Sequence, residues 1–139
     1  MKKIIFAFVA LVMSINANAF EFDGIDLNKN YFEIAQQISA KGYVYDDVKD
    51  CLKGNCQGTE ITLSLKAEKS KLGQLIVDIP MTGNAFENVT KTFNVVYHQT
   101  SKDQSSCTYS VSTDGTTLIV SAIANGVRLT YNTPYYNKK

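Results

Sequence analysis

Two segments of the chain place apolar residues at the spacing of an amphipathic helix. The first begins at Asn30, which forms a capping-box arrangement with Glu33. It closes at Lys41-Gly42, where a basic residue and a glycine suit a helix C-terminus. The pattern predicts a helix with one buried face. Its apolar positions recur at i, i+3, i+4 and i+7: Tyr31, Ile34, Ala35 and Ile38.

The second segment repeats this design 54 positions further along the chain. Asn84 stands at the cap position with Glu87 three residues later. Pro80 and Gly83 lie just before it and mark the start of the helix. We therefore predict a second helix with one buried face. Its apolar stripe consists of Phe86, Val89, Phe93 and Val96 or Tyr97.

Between the two predicted helices the hydrophobic period changes from 3.6 to 2. Residues 61–66 and 74–79 both alternate, and the polar stretch 68–71 separates them. This predicts a β-hairpin with one buried face. The apolar members are Ile61, Leu63 and Leu65 in one strand and Leu75, Val77 and Ile79 in the other.

The C-terminal part predicts three further strands joined by the turn signals Asp114-Gly115 and Asn125-Gly126. Taken as two-residue turns, they pair Val111 with Leu118 and Val120 with Tyr131, in one consistent register. One face is then apolar and predicted to be core: Cys107, Tyr109, Val111, Leu118, Val120, Ala122, Leu129 and Tyr131. The other face is polar and includes Arg128 and Thr130. Ile119 and Ile123 are its apolar exceptions, which mark either an edge contact or a partner surface.

These elements predict an α+β fold, with two helices packed on one face of an antiparallel meander sheet of five to six strands. The order suggests helix-β-β-β twice, either as an internal repeat or within one two-layer domain. A further strand over 42–48 is possible before a Cys-containing loop. About 120 residues suffice for a single core.

The first nineteen residues have the organisation of a secretory signal peptide. Lys2-Lys3 precede an apolar run over 4–13, and Ala17-Asn18-Ala19 is a small-residue cleavage site. The run is too short for a membrane anchor. We expect cleavage before Phe20 and a single globular domain over 20–139. The leader is typical of bacteria, so the periplasm is the expected location and the extracellular space the second.

The charge balance argues against a nucleic-acid binder, since the chain has fourteen basic and thirteen acidic residues. Loss of Lys2 and Lys3 with the leader leaves twelve basic and thirteen acidic residues, a net charge of −1. The expected partner is therefore a protein of the cell envelope, not a nucleic acid or a membrane.

Export favours disulfide chemistry for the three cysteines. Cys51 and Cys56 enclose a short turn-forming stretch and are the favoured pair, with Cys107 bridged to one of them as the alternative. The predicted register places Cys107 on the core face, where a free thiol behaves as a small apolar group.

No motif in the sequence indicates catalysis or a metal site. His98 is the sole histidine, and we interpret it as a residue that stabilises the end of the second helix. Asp46, Asp47 and Asp50 lack the organised ligand loop of a calcium site and are interpreted as a solvated turn. We expect neither a cofactor nor a metal.

The remaining candidates are surfaces. A rigid Cys51–Cys56 loop would present Lys53 and Asn55 at its tip as a probe. Tyr135 and Tyr136 follow the last predicted strand and either anchor a partner or pack as an ordinary tail.

Residues Phe20 to Leu27, the capped helix ending at Lys41-Gly42 and the following hairpin resemble small exported α+β modules. The outer-membrane assembly lipoproteins of the small-protein-A type and the β-lactamase inhibitory protein share this layout. The C-x-x-x-x-C loop is also similar in form to that of Ivy-type lysozyme inhibitors, whose Pro-His pair is replaced here by Lys53-Gly54.

Together these observations predict a non-enzymatic exported protein that binds another macromolecule. An inhibitor or immunity protein directed at a cell-wall hydrolase, with the Cys loop as its probe, is the alternative. A small hydrolase using an Asp and His98 is the second alternative.

Overall fold

The fold is α+β and consists mostly of antiparallel sheet. The computed structural model describes residues 13–16, 19–56, 58–112 and 114–137. The strands are β1 (Met13–Asn16), β2 (Ala19–Phe22), β3 (Ile25–Asp26), β4 (Val44–Asp46), β5 (Cys51–Cys56), β6 (Thr59–Glu68), β7 (Lys71–Pro80), β8 (His98–Lys102), β9 (Ser106–Ser110), β10 (Thr117–Ile123) and β11 (Gly126–Asn132). The helices are α1 (Tyr31–Ala40), α2 (Ala85–Val96) and the short α3 (Pro134–Asn137).

The main sheet has eight strands in the order β4-β5-β6-β7-β11-β10-β9-β8. It joins two four-stranded meanders, each preceded by a helix, and their last strands β7 and β11 pair antiparallel at the centre. The strands β1, β2 and β3 form a separate small sheet. The predicted fold class is confirmed, but the predicted count of five to six strands is wrong.

In the main sheet the sequence analysis missed β5 and the edge strand β8, whereas the other edge strand, β4, falls within the further strand given over 42–48. The edge strand β8 is polar and mostly exposed, and β4 has only three residues. Such strands bury no continuous apolar face, so they show little of the alternation that marks β6 and β7.

Both predicted helices form, but their N-termini differ. The side chain of Asn30 accepts a hydrogen bond from the backbone N–H of Phe32 at 2.8 Å, whereas Asn84 makes no side-chain cap bond. Ile34 and Ile38 of α1, with Val89 and Phe93 of α2, are buried. The predicted apolar stripes therefore face the core, except for Ala35 and Val96, which are exposed.

The β6–β7 hairpin is confirmed, with Leu63 opposite Val77 and Leu65 opposite Leu75. Its turn at Lys69 and Ser70 has positive φ at both residues, as a tight hairpin turn requires.

The C-terminal register is displaced by two residues at both turns. Leu118 pairs with Tyr109 and Tyr131, not with Val111 as predicted. An even displacement leaves every side chain on its predicted face. Accordingly the predicted core residues are buried except Ala122, which is exposed.

The displaced register places Gly126 within β11 and not in the turn. This glycine lies within β11 opposite Pro80, and a Cβ added to it would meet the backbone oxygen of Ile79 at 2.0 Å. The glycine therefore serves close strand approach. The two residues that connect β10 to β11 are Ala124 and Asn125.

The core lies on one face of the main sheet. Phe93 of α2 packs edge-on against Tyr109, and Phe20 of β2 contacts the ring of Tyr131. Asp23-Gly24 forms the β2–β3 turn with positive φ at both residues, which brings Phe22 and Ile25 into the same core. This Asp-Gly signal could have predicted the hairpin.

The predicted signal peptide falls largely outside the described residues, since residues 1–12 are not among them. Within the predicted leader, β1 pairs with β2 from Met13 opposite Phe22 to Asn16 opposite Ala19.

Candidate functional site: the open face of the main sheet

The second face of the main sheet carries alternating side chains that do not belong to the buried core. We call this surface the open face. Three rows of paired residues cross its strands. The middle row consists of Ser64, Ile76, Thr130, Ile119, Thr108 and Ser101. A second row consists of Lys53, Thr62, Asp78, Arg128, Ser121 and Ser106. The third consists of Lys66, Gln74, Asn132, Thr117, Ser110 and His98.

An ion pair stands at the centre of the second row. The Nε and Nη2 atoms of Arg128 donate hydrogen bonds to the two carboxylate oxygens of Asp78 at 2.8 and 2.9 Å. This bonding to Asp78 raises the pKa of the Arg128 guanidinium. Because both side chains are partly exposed, the pair contributes about 1 kcal/mol or less to stability. Its bidentate geometry nevertheless fixes the orientation of both groups.

The middle row is apolar at its centre and otherwise carries short hydroxyl side chains. Ile76 and Ile119 are half-buried and lie on either side of Thr130. This confirms that Ile119 faces away from the core, as its predicted position required. Short side chains give a smooth surface that loses little side-chain entropy when it is covered.

A groove of about 500 Å³ lies at the β5–β7 end of the open face. Cys51, Lys53, Thr62 and Arg128 contribute to its lining, together with Ile123 from the β10 end. Lys53 forms an ion pair with Asp46 at 3.4 Å. The two cations Lys53 and Arg128 therefore each have an acidic partner within the sheet.

The segment predicted to be a protruding Cys loop is instead strand β5. It pairs with β4 on one side and β6 on the other, so its residues cannot act as a projecting probe. Lys53 is half-buried, and Asn55 is exposed and accepts a hydrogen bond from the backbone N–H of Gly58 at 2.9 Å. The probe hypothesis is wrong for this structure.

The predicted Cys51–Cys56 disulfide is also wrong for this structure, in which all three cysteines are free. Five steps along an extended strand separate Cα atoms by about 16 Å, far beyond the roughly 7 Å limit of a disulfide. The odd spacing also puts Cys51 on the open face and Cys56 on the core face. Cys107 is buried on the core face, as predicted.

The two C-terminal tyrosines have different surroundings. Tyr135 is 47% exposed, whereas Tyr136 is half-buried and its ring lies 5.9 Å from the ammonium of Lys66. Both belong to α3, which the backbone N–H of Tyr136 ties to the carbonyl of Thr133. The helix α3 therefore packs beside the third row of the open face, near Lys66.

The residues considered for other chemistry are not brought together. His98 is exposed at the start of edge strand β8. Asp46 accepts hydrogen bonds from the backbone of Val48 and Lys49, and these bonds lower its pKa. Asp50 accepts from the Tyr45 hydroxyl at 2.6 Å. Among the described residues, no group of acidic, His and Cys side chains is placed to hold a metal ion.

Comparison of the chain with protein-family models, characterised proteins and solved structures finds no match. In the part of the chain that the structure describes, no helix is long and apolar enough to cross a membrane.

Proposed function

We propose that this chain is an exported, non-enzymatic binding protein that holds a folded protein of the cell envelope against the open face of its main sheet. The observation that supports this proposal is the presence of an eight-stranded sheet with a core on one face and an organised but uncovered surface on the other.

The dimensions of the open face suit a protein partner. Each row crosses six strands, which at the usual spacing occupy about 29 Å, and three rows of residues two apart occupy about 20 Å along the strands. The resulting area of about 600 Å² matches what each partner buries at the lower end of the range of standard-size interfaces, roughly 600 Å².

The chemistry of the open face also suits a protein. Half-buried isoleucines at the centre offer apolar contact, and the surrounding hydroxyls offer hydrogen bonds. Of the three lysine and arginine side chains in the rows, Arg128 pairs with Asp78 and Lys53 with Asp46. The one remaining cation, Lys66, does not make the strongly basic surface that a phosphate backbone requires.

An inhibitor or immunity protein against a cell-wall hydrolase is the more specific form of this proposal. Such an inhibitor would use the open face, because β5 offers no projecting loop. The likeness to small exported modules remains a prediction. The hydrolase alternative has no observation in its favour, since His98 lies exposed on an edge strand.

Site-specific photocrosslinking tests the proposal. A photoreactive phenylalanine analogue replaces Ile119 on the open face or Lys91 on the exposed surface of α2, which serves as the matched control. We expect a discrete protein adduct in host envelope extract from position 119 only, suppressed by excess unlabelled protein and by Arg128→Glu. Equal adducts at both positions, or none at 119, would contradict the proposal.

Mass spectrometry of the exported chain also checks whether it begins at Phe20.

A further inference from the structure

The open face carries opposite charges on the two sides of its centre line. The strands β7 and β11 lie at the centre of the main sheet, with β6 and β10 next to them and β5 and β9 beyond. We call the boundary between β7 and β11 the seam. In the second row, Asp78 of β7 and Arg128 of β11 stand on either side of this seam.

A two-fold axis parallel to the strands and above the seam places each half of the open face against the opposite half of a second copy. In this arrangement β7 faces β11 of the second copy, β6 faces β10 and β5 faces β9. Every contact of such an interface occurs twice. Asp78 therefore faces Arg128 of the second copy, and Arg128 faces Asp78 of the second copy.

The Asp78–Arg128 pair has hydrogen-bonding capacity left for this contact. Its two hydrogen bonds use the Nε proton and one Nη2 proton of Arg128. A guanidinium has five N–H donors and a carboxylate accepts about four hydrogen bonds, so both groups can bond again. The side chains of Arg128 and Asp78 are 45% and 26% exposed, so a second molecule can reach them. Two such pairs would form a ring in which each cation contacts two anions.

The other contacts of this arrangement bring no like charges together. In the second row Lys53 faces Ser106 of the second copy, and in the third row Lys66 faces Thr117 of the second copy. The isoleucines of the middle row face short side chains and lose their contact with water, which favours association.

A two-fold axis across the strands suits the charges less well. It would place Asp78 over Gln74 and Arg128 over Asn132 of the second copy, since these residues occupy the third row of the same strands. Both charges would then be covered without an opposite charge in the second copy, which leaves their desolvation uncompensated. The charge pattern therefore selects the axis along the seam.

The usual geometry of stacked sheets permits these contacts. Two sheets pack about 10 Å apart, with their strands about 30° from parallel. From a crossing point at the middle row, the second row lies about 7 Å along the strands and shifts sideways by about 3.5 Å at this angle, less than the spacing of one strand. The long side chain of Arg128 can accommodate that shift.

The size and composition of the open face indicate a weak dimer. About 600 Å² on each copy gives about 1,200 Å² in total, the lower limit for interfaces of standard size. Short polar side chains surround the isoleucines, whereas an obligate dimer has a continuous apolar core. Such a dimer would dissociate readily and leave the open face accessible to another protein.

We propose that two copies of this chain pack open face to open face about a two-fold axis along the seam, as a reversible dimer held by the ring of Asp78 and Arg128 side chains. The dimer uses the same surface as the function proposed above, but it does not require the envelope partner, which would bind by displacing the second copy.

Analytical ultracentrifugation of the purified protein, with paired charge reversals, tests this arrangement. We expect the unaltered protein to form a dimer that dissociates on dilution from about 200 to about 2 µM, as suits a weak interface of this size. Asp78→Lys gathers four cations at the seam and Arg128→Glu gathers four acids, so each should weaken the dimer by about tenfold or more. An equimolar mixture of the two variants should form a heterodimer, because every cation then faces an acid.

Two further variants serve as controls. Lys91→Glu on the exposed surface of α2 changes the net charge as much as Arg128→Glu does and should leave the dimer intact. The exchange of Asp78→Arg together with Arg128→Asp keeps opposite charges within and between the copies and should restore the dimer. Circular dichroism identifies a single variant that does not fold, in which case the exchange variant decides.

Three results would each overturn the proposal: an unaltered protein that is monomeric throughout this range, single variants that dimerise as it does, or a mixture without heterodimer. None of these measurements uses envelope extract. In the crosslinking experiment above, an adduct of twice the chain mass would identify the second copy, whereas an adduct with an envelope protein supports the proposed function. The two proposals can therefore fail separately.

Discussion

The glycine at position 54 shows how a single neighbouring side chain determines the local conformation. Between the two cysteines of β5, Gly54 lies beneath the ring of Tyr43, and a Cβ added to Gly54 would meet that ring at 2.3 Å. The glycine therefore permits close packing within a strand, although in the sequence Gly54-Asn55 has the composition of a turn. Spacing alone could not distinguish these two uses of glycine.

The burial of Cys56 predicts which thiol reacts. Burial, together with the negative charge of Asp23, raises the pKa of the Cys56 thiol to about 11, so the reactive thiolate is scarce at neutral pH. Titration with a thiol reagent in denaturant without reductant should count three thiols. In the native protein we expect Cys51 to react first, and Cys51→Ser should remove this fast phase. A single thiol in denaturant would show that a disulfide forms.

At the scale of elements, the same substitution can be made at the N-termini of α1 and α2 and its effect on stability compared. Asn30→Ala removes the hydrogen bond to the N–H of Phe32 and should lower the free energy of unfolding by about 1 kcal/mol. Asn84→Ala removes no side-chain cap bond and should change it by much less. Urea unfolding followed by circular dichroism measures both. An equal loss in the two variants would contradict the capping difference.

The elements that the sequence predicts well are those that bury one continuous face. Alternation identified β6 and β7, and it assigned Arg128 and Thr130 to the polar side of β11 even though the register was displaced by two residues. The turn positions were harder to predict. Asp114, for example, is held within the connection from β9 to β10 because its carboxylate accepts from the N–H and hydroxyl of Thr116. Such side-chain bonds lengthen a loop without changing the hydrophobic pattern.

The candidate site needed contacts that only the whole fold supplies. Asp78 and Arg128 were each predicted on a polar face, but their ion pair depends on β7 pairing with β11 across fifty positions of sequence. Local pattern carries no information about such a pairing.

At the scale of the whole molecule, the main sheet is built from two helix-plus-four-strand halves joined along β7 and β11. This agrees with the predicted repetition of a helix followed by strands, with four strands in each half instead of three. The halves share a single core, because buried Val77 and Ile79 of β7 pair directly with buried Leu129 and Val127 of β11. Neither half can be removed without exposing the apolar face of the other.

This arrangement predicts that the covalent connection between the halves is dispensable once the protein has folded. A protease site inserted between the exposed residues Thr82 and Gly83 should permit cleavage without dissociation, since the β7–β11 ladder and its buried face hold the fragments together. Size-exclusion chromatography should show one species of unchanged size. After cleavage the thermal midpoint should fall on dilution, because unfolding now releases two chains, while the uncleaved protein should show no such dependence. Separate elution of the fragments at micromolar concentration would show instead that the connection, and not the shared core, holds the sheet together.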